Sequence, residues 1–165
     1  VRDVSEQKVN LINENIDRSG FSNLTAQVWD ALVLDEAFLE KADIVLADLP
    51  CSGLGILGKK PDIKQKMKPE ALASLAKLQR ELLSVVWQYV KPGGILIYST
   101  CTIHAGENEE NVKWFLEQFS FEAVSLKDCM PAEIASETLA EGYVQLLPGI
   151  HGCDGFFIAK FKKKA

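Results

Sequence analysis

The chain has 165 residues, 47% of them hydrophobic, and a net charge of −5. That is enough for one domain with a full core, and no apolar run approaches the ~20 residues that span a bilayer. A surface that grips nucleic acid unaided is basic, so the acidic balance implies either another kind of substrate or positive charge supplied by another region.

The chain begins Val1-Arg2-Asp3 with no methionine, just ahead of a helix, and reads as a fragment. Residues 4–18 are that helix: Val4, Leu11 and Ile12, with Lys8 and Ile16 near the same face, recur at helical spacing, and Ser19-Gly20 stops it. Residues 24–28 form a short strand ending near Trp29-Asp30, and residues 31–41 a short helix. Residues 43–48 are a run of branched aliphatics, the pattern of a buried strand in a parallel sheet. Residues 53–68 are a loop with three glycines, Pro61 and five lysines. Pro69 opens a long helix at the position proline tolerates best. Its inner face carries Leu72, Leu75, Gln79, Leu82, Val86 and Val90, and Lys91-Pro-Gly-Gly94 ends it. A strand at 94–99 follows, then a helix from 107 to 119 whose Glu107, Glu109 and Glu110 complement its dipole. Residues 121–126 are a strand and 129–141 irregular. Two final strands, 143–147 and 155–161, flank Pro148-Gly149. Helices alternating with strands, then strands alone, give a mostly parallel α/β sheet with an antiparallel tail.

Two strands end in chemistry. In Asp48-Leu-Pro-Cys51-Ser-Gly53 a carboxylate and a thiol stand at a strand's carboxyl end, the edge where open α/β sheets bind ligands. Gly94-Ile-Leu-Ile-Tyr-Ser99-Thr-Cys101-Thr ends in a second thiol. If the strands are neighbours, Cys51 and Cys101 face one crevice, as a redox pair or as a nucleophile and a base. Cys129 and Cys153 read as small buried hydrophobes. No Cys-x-x-Cys spacing points to zinc or to a redox motif, and free thiols suit a reducing cytoplasm. Gly53-Leu-Gly55-Ile-Leu-Gly58 matches a dinucleotide fingerprint in letters only. Asp-Leu-Pro-Cys-Ser intervenes between the aliphatic run and its first glycine, and no helix opens at Gly58.

Asp48-Leu-Pro-Cys51-Ser-Gly53, Lys91-Pro-Gly-Gly94, Tyr98-Ser-Thr-Cys101-Thr102 and His151-Gly-Cys-Asp154-Gly-Phe-Phe157 closely resemble the Sun/NOL-NOP family of RNA cytosine-5 methyltransferases, from Asp3 to the C-terminus. The resemblance implies a class I S-adenosylmethionine-dependent, Rossmann-like α/β fold. It makes residues 1–165 the C-terminal portion of a catalytic domain, truncated before the first strand and the Gly-rich cofactor loop. Also implied are methylation of cytosine carbon 5 in RNA, small-subunit ribosomal RNA among the bacterial members, and a covalent cysteine–cytosine adduct on an unstacked base. Cys101 resembles the nucleophile that adds to carbon 6. Cys51 resembles the residue that helps remove the carbon 5 proton and release the product. Asp48 and Pro50 lie where the family meets the cofactor and the base edge. Asp3 resembles the acid that holds the cofactor ribose and Asp30 the one beside the adenine; for Asp30 a solvated turn aspartate is the other reading. Leu49 replaces the family's alanine, and Cys153 stands where threonine is common. The main RNA-binding region lies upstream of Val1 by this reading, which accounts for the negative charge and leaves the chain alone inactive. Lys59, Lys60, Lys64, Lys66 and Lys68 are either a phosphate-contacting loop or a solvated one, and Lys160 to Lys164 a solubilising tail.

A DNA cytosine-5 methyltransferase also carries Pro-Cys and a Glu-Asn-Val, matched by Glu110-Asn-Val112, but that tripeptide should end a strand. A non-catalytic RNA-binding module would leave the two thiols without purpose. The truncation exposes an edge of strand 43–48. Strand 24–28 slides in to pair with it, a second copy supplies the edge as a dimer, or residues 1–42 pack loosely; the first two are favoured because unpaired backbone groups are costly.

Overall fold

Ser5 accepts the Lys8 N–H, and Gly20, in the left-handed region at φ 71°, donates to Ile16 and Asp17, so the first helix, α1 (Glu6–Ser19), is capped at both ends. These details come from a computed structural model that describes residues 1–165. Two short strands, β1 (Arg2–Asp3) and β2 (Gln27–Val28), pair in parallel, Arg2 opposite Gln27 and Asp3 opposite Val28. Arg2 bonds Asp35 at 2.5 Å and lies over the Trp29 ring. The expected helix at 31–41 is not there; the segment has only a 3-10 turn at Glu36–Phe38. Asp30 accounts for part of this. Its carboxylate takes the Leu32 N–H and its carbonyl the Val33 N–H, while the Trp29 indole donates to the Val33 carbonyl. Side chains that offer the backbone turn partners outcompete helix propensity.

These residues belong to the first of two compact units, Val1–Glu36; the second is Ala37–Ala165. In the second, β3 (Ala42–Asp48) runs parallel to β4 (Val90–Thr100). Between them in sequence lie a 3-10 turn at Leu54–Ile56, a four-residue helix α2 (Ile63–Lys66) and the long α3 (Pro69–Val86). The segment 53–68 is therefore not wholly loop. Lys91-Pro-Gly-Gly94 does not end α3, which stops earlier in a 3-10 turn at Trp87–Tyr89. It is already part of β4, where the register slips between Ala42 and Ile44, and Gly93 at φ 76° takes up the irregularity.

After β4 come α4 (Glu109–Gln118), β5 (Phe121–Ala123), β6 (Tyr143–Leu146) and β7 (Phe156–Lys163). β7 lies antiparallel between β4 on one side and β5 and β6, end to end, on the other. So β3, β4, β5 and β6 all run one way and β7 alone opposes them, as expected. The core is Leu82, Leu83 and Val86 of α3, Leu96 and Tyr98 of β4, and an aromatic cluster about Phe115, whose ring lies 4.8 Å from Phe161 and 5.1 Å from Phe121. Lys163 is no solubilising tail. It is 8% exposed, its ammonium donating to the Val90 carbonyl and Glu40, because its place in β7 turns the stem inward.

The outer edge of β3 carries no partner strand, and Ile44 and Leu46 are exposed. Strand 24–28 does not slide in: its ordered part, Gln27–Val28, is already paired to Arg2–Asp3. No helix is long and apolar enough to cross a membrane.

Candidate active site

Register brings the two strand ends together. Asp48 pairs with Ser99, whose hydroxyl donates to Asp48 Oδ1 at 2.9 Å, and the Leu49 N–H reaches the Ser99 carbonyl at 3.2 Å. β3 stops at Asp48 because the chain turns out of the sheet at Pro50, which has no N–H to continue the ladder. β4 runs on to Thr100. The result is that Cys51 and Cys101, each just beyond a strand, meet with their sulfurs 3.2 Å apart, both half-buried and unoxidised. Burial, and then the Cys101 thiol beside it, push Cys51 up to about 12 from an ordinary 9.0. At neutral pH Cys51 keeps its proton.

Backbone contacts hold the thiol loops in place. The Gly55 N–H donates to the Cys101 carbonyl at 3.1 Å, and the Gly155 N–H to the Gly55 carbonyl at 2.8 Å. A Cβ at Gly55 would press on the Gly155 carbonyl and come within 2.8 Å of the Cys101 carbonyl oxygen. The glycines singled out for a nucleotide motif therefore serve close backbone approach. The Ser52 and Thr102 hydroxyls, one residue beyond each thiol, bond each other at 2.7 Å. The Thr100 hydroxyl donates to Asn108, which reaches back to the Thr102 carbonyl.

Glu107 corrects an expectation. It does not sit at an exposed helix terminus; it lies in the 3-10 turn Ala105–Glu107, ahead of α4, and is fully buried beside the Cys51 turn. Sequence reasoning missed this role for Glu107, and for Ser52 and Thr102. Gln79 was legible in part, as a polar residue on the inner face of α3, where it is fully buried.

The acids of the first unit stand at the carboxyl ends of its paired strands. Asp3 Oδ1 takes the Ser5 N–H at 2.8 Å, while Oδ2 has only a 3.4 Å contact from Lys8. An acceptor left this free at a strand end suits the vicinal hydroxyls of a ribose. Asp30 uses one oxygen on the Leu32 N–H and is otherwise exposed, which is also the arrangement of a turn aspartate. Of the basic loop, Lys59 is held by Asp154 at 2.5 Å and Lys66 by Asp62 at 2.7 Å; Lys60, Lys64 and Lys68 are exposed. Cys129 and Cys153, expected to be buried, are both exposed, because each lies in irregular chain outside the sheet. Glu110-Asn-Val112 lies inside α4, not at a strand end. No cluster of three or more His, Cys, Asp or Glu side chains is placed to hold a metal ion.

Comparison with known proteins gives a consistent result. Residues 1–162 match the family described as 16S rRNA methyltransferase RsmB/F. The ribosomal RNA small subunit methyltransferase F of Cronobacter sakazakii is 37% identical over 163 residues, 98% of this chain and 34% of that protein. A methyltransferase homolog protein from Pyrococcus horikoshii superposes with a TM-score of 0.80 at 32% identity, over 98% of this chain and 52% of that one. NSun6 from the same organism, solved with SFG, gives 0.80 at 27% identity, covering 99% of this chain and 41% of that one. The chain thus spans about a third of the length of the curated relatives it matches.

Proposed function

The chain belongs to the 16S rRNA methyltransferase RsmB/F family, and from that premise we propose that it carries the thiol chemistry of an RNA cytosine-5 methyltransferase, as the C-terminal portion of the catalytic domain. The observation that carries this reading is the 3.2 Å contact between Cys51 and Cys101 at the ends of two adjacent parallel strands. One thiol alone could be a buried hydrophobe; two in contact, beside Asp48, are the equipment for adding to a ring and then leaving it.

Cys101, as thiolate, adds to carbon 6 of a cytosine in small-subunit ribosomal RNA. The carbon 5–carbon 6 double bond opens and its electron pair makes carbon 5 nucleophilic. S-adenosylmethionine, when bound, supplies the methyl group that carbon 5 takes. Asp3 and Asp30 would hold its nucleoside part, and Asp48, anchored by Ser99, and Pro50 would border the cofactor and the base. Cys51, once its own proton has passed to solvent, then accepts the carbon 5 proton. The pair left behind restores the double bond and expels the Cys101 thiolate. The same contact that raises Cys51 in the resting pair helps here: once Cys101 is bonded to carbon it no longer opposes ionisation of Cys51, although burial still does. Exposed Lys60, Lys64 and Lys68 touch RNA phosphates, and where the β3 edge is free a second copy pairs along it.

Covalent trapping on RNA carrying 5-fluorocytosine, in the full-length protein, tests the assignment. Cys101→Ala is expected to abolish both methylation and the protein–RNA adduct. Cys51→Ala is expected to stop turnover while the adduct accumulates on unmodified RNA, because attack proceeds and release fails. If Cys51→Ala loses the adduct and Cys101→Ala keeps it, the roles are reversed.

A further inference from the structure

The peptide that carries Cys51 is gripped on both sides. On its N-terminal side the Gln79 side-chain amide donates to the Pro50 carbonyl at 2.9 Å. On its C-terminal side the Ser52 N–H donates to Glu107 Oε2 at 2.9 Å. The two gripping side chains hold each other, since Gln79 Nε2 also donates to the same Glu107 oxygen at 2.9 Å. Gln79 and Glu107 are fully buried and come from different elements, the middle of α3 and the turn before α4. Behind them, Gln79 Oε1 accepts from Asn111 at 2.8 Å, and the Tyr98 hydroxyl lies between that oxygen and the Glu107 carbonyl.

A buried carboxylate is an expensive way to fill a core. Here one oxygen does all the bonding. Oε2 takes both donors, whereas Oε1 has no hydrogen-bond partner and lies 3.6 Å from His104 Nδ1, which has none either. An amide in place of the carboxylate would keep the doubly used oxygen and present an N–H to His104. The grip on the Cys51 peptide requires an acceptor at this point and uses one oxygen of the two, the other facing only the His104 ring.

We propose that Gln79 and Glu107 are positioning residues that fix the Pro50-Cys51-Ser52 peptide so that the Cys51 thiol stays against Cys101, and that they do so through hydrogen bonds and not through the charge of Glu107. The purpose of the clamp rests on reading Cys51 as the thiol that completes the reaction; its existence does not.

The test is iodoacetamide labelling of each cysteine in the full-length protein, followed by mass spectrometry, with exposed Cys129 and Cys153 as internal references. Glu107→Gln is expected to label at Cys51 as the unmodified protein does and to retain turnover. Glu107→Ala and the isosteric Gln79→Glu, which sets an oxygen against the Pro50 carbonyl, are expected to label Cys51 about tenfold faster relative to Cys129, the effect of losing one buried hydrogen bond. In the trapping assay with unmodified RNA, Glu107→Ala should accumulate adduct as Cys51→Ala does. Unchanged Cys51 labelling in folded Glu107→Ala or Gln79→Glu protein overturns the proposal, as does Glu107→Gln proving as damaging as Glu107→Ala. Should Glu107→Ala not fold, Gln79→Glu decides. If labelling behaves as expected but Cys51→Ala itself accumulates no adduct, the clamp stands and the assignment of Cys51 falls.

Discussion

Residues 1–36 and residues 37–165 both place reactive side chains at the ends of parallel strands, and they secure them in different ways. In the first unit Asp3 and Asp30 are steadied by local bonds to residues two or five positions away. Among the buried hydrophobic residues only Val9 belongs to this unit. In the second, Cys51 and Cys101 are fixed by groups remote in sequence, with Glu107, Gln79 and Gly155 all brought in by the sheet and its helices. Local bonds can hold an acceptor that only has to present an oxygen. Two thiols in contact from separate strands need a packed scaffold, and that scaffold occupies most of the chain.

The largest expected effect sharpens this contrast. Phe115→Ala should cost about 3–5 kcal/mol, as large-to-small changes at fully buried aromatics do. The signature, by thermal unfolding and cysteine labelling, is loss of the Cys51–Cys101 contact together with the β4–β7 core. Gly55→Ala comes next. The forced Cβ should cost about 1–3 kcal/mol and, unlike Phe115→Ala, should separate the thiols while leaving the aromatic core intact, a difference visible as faster Cys51 labelling with near-native tryptophan fluorescence. Smallest is Ser5→Ala, which removes the cap of α1 at about 1 kcal/mol. It should increase amide exchange in residues 6–19 with no change in thiol labelling. If Ser5→Ala alters Cys51 labelling, the contrast between the two regions fails.

How much of this was legible in the sequence varies by kind of interaction. The strands were readable at 43–48 and 94–99 because aliphatic runs end at proline, glycine or a lone polar residue, whereas 90–93, which also belong to β4, looked like the end of α3; the convergence of the two thiols followed from those strand ends being neighbours. The network behind Cys51 was not. Glu107 and Asn108 look in sequence like the solvated start of a helix, and their buried partners, Gln79 of α3 and Ser52 for the one, Thr100 of β4 and Gln145 of β6 for the other, are all supplied by the fold. Gln79 offered a partial signal, since a glutamine in line with Leu75, Leu82 and Val86 has to find a buried partner. The turn at 29–33 escaped for the opposite reason: Ala, Leu and Glu around it favour helix, and three bonds from Trp29 and Asp30 override them.

The position of β7 has a consequence for how the molecule is made. It is the last strand of the chain, yet β4 reaches β5 and β6 only through it. As the chain emerges from the ribosome, β3 and β4 can pair, but nothing can join β5 or β6 until residues 156–163 are free. Folding of the sheet therefore waits until residues 156–163 have been made. The nascent chain must keep the Phe115 and Phe121 faces out of trouble until then, a setting in which slow, long-range pairing competes with aggregation.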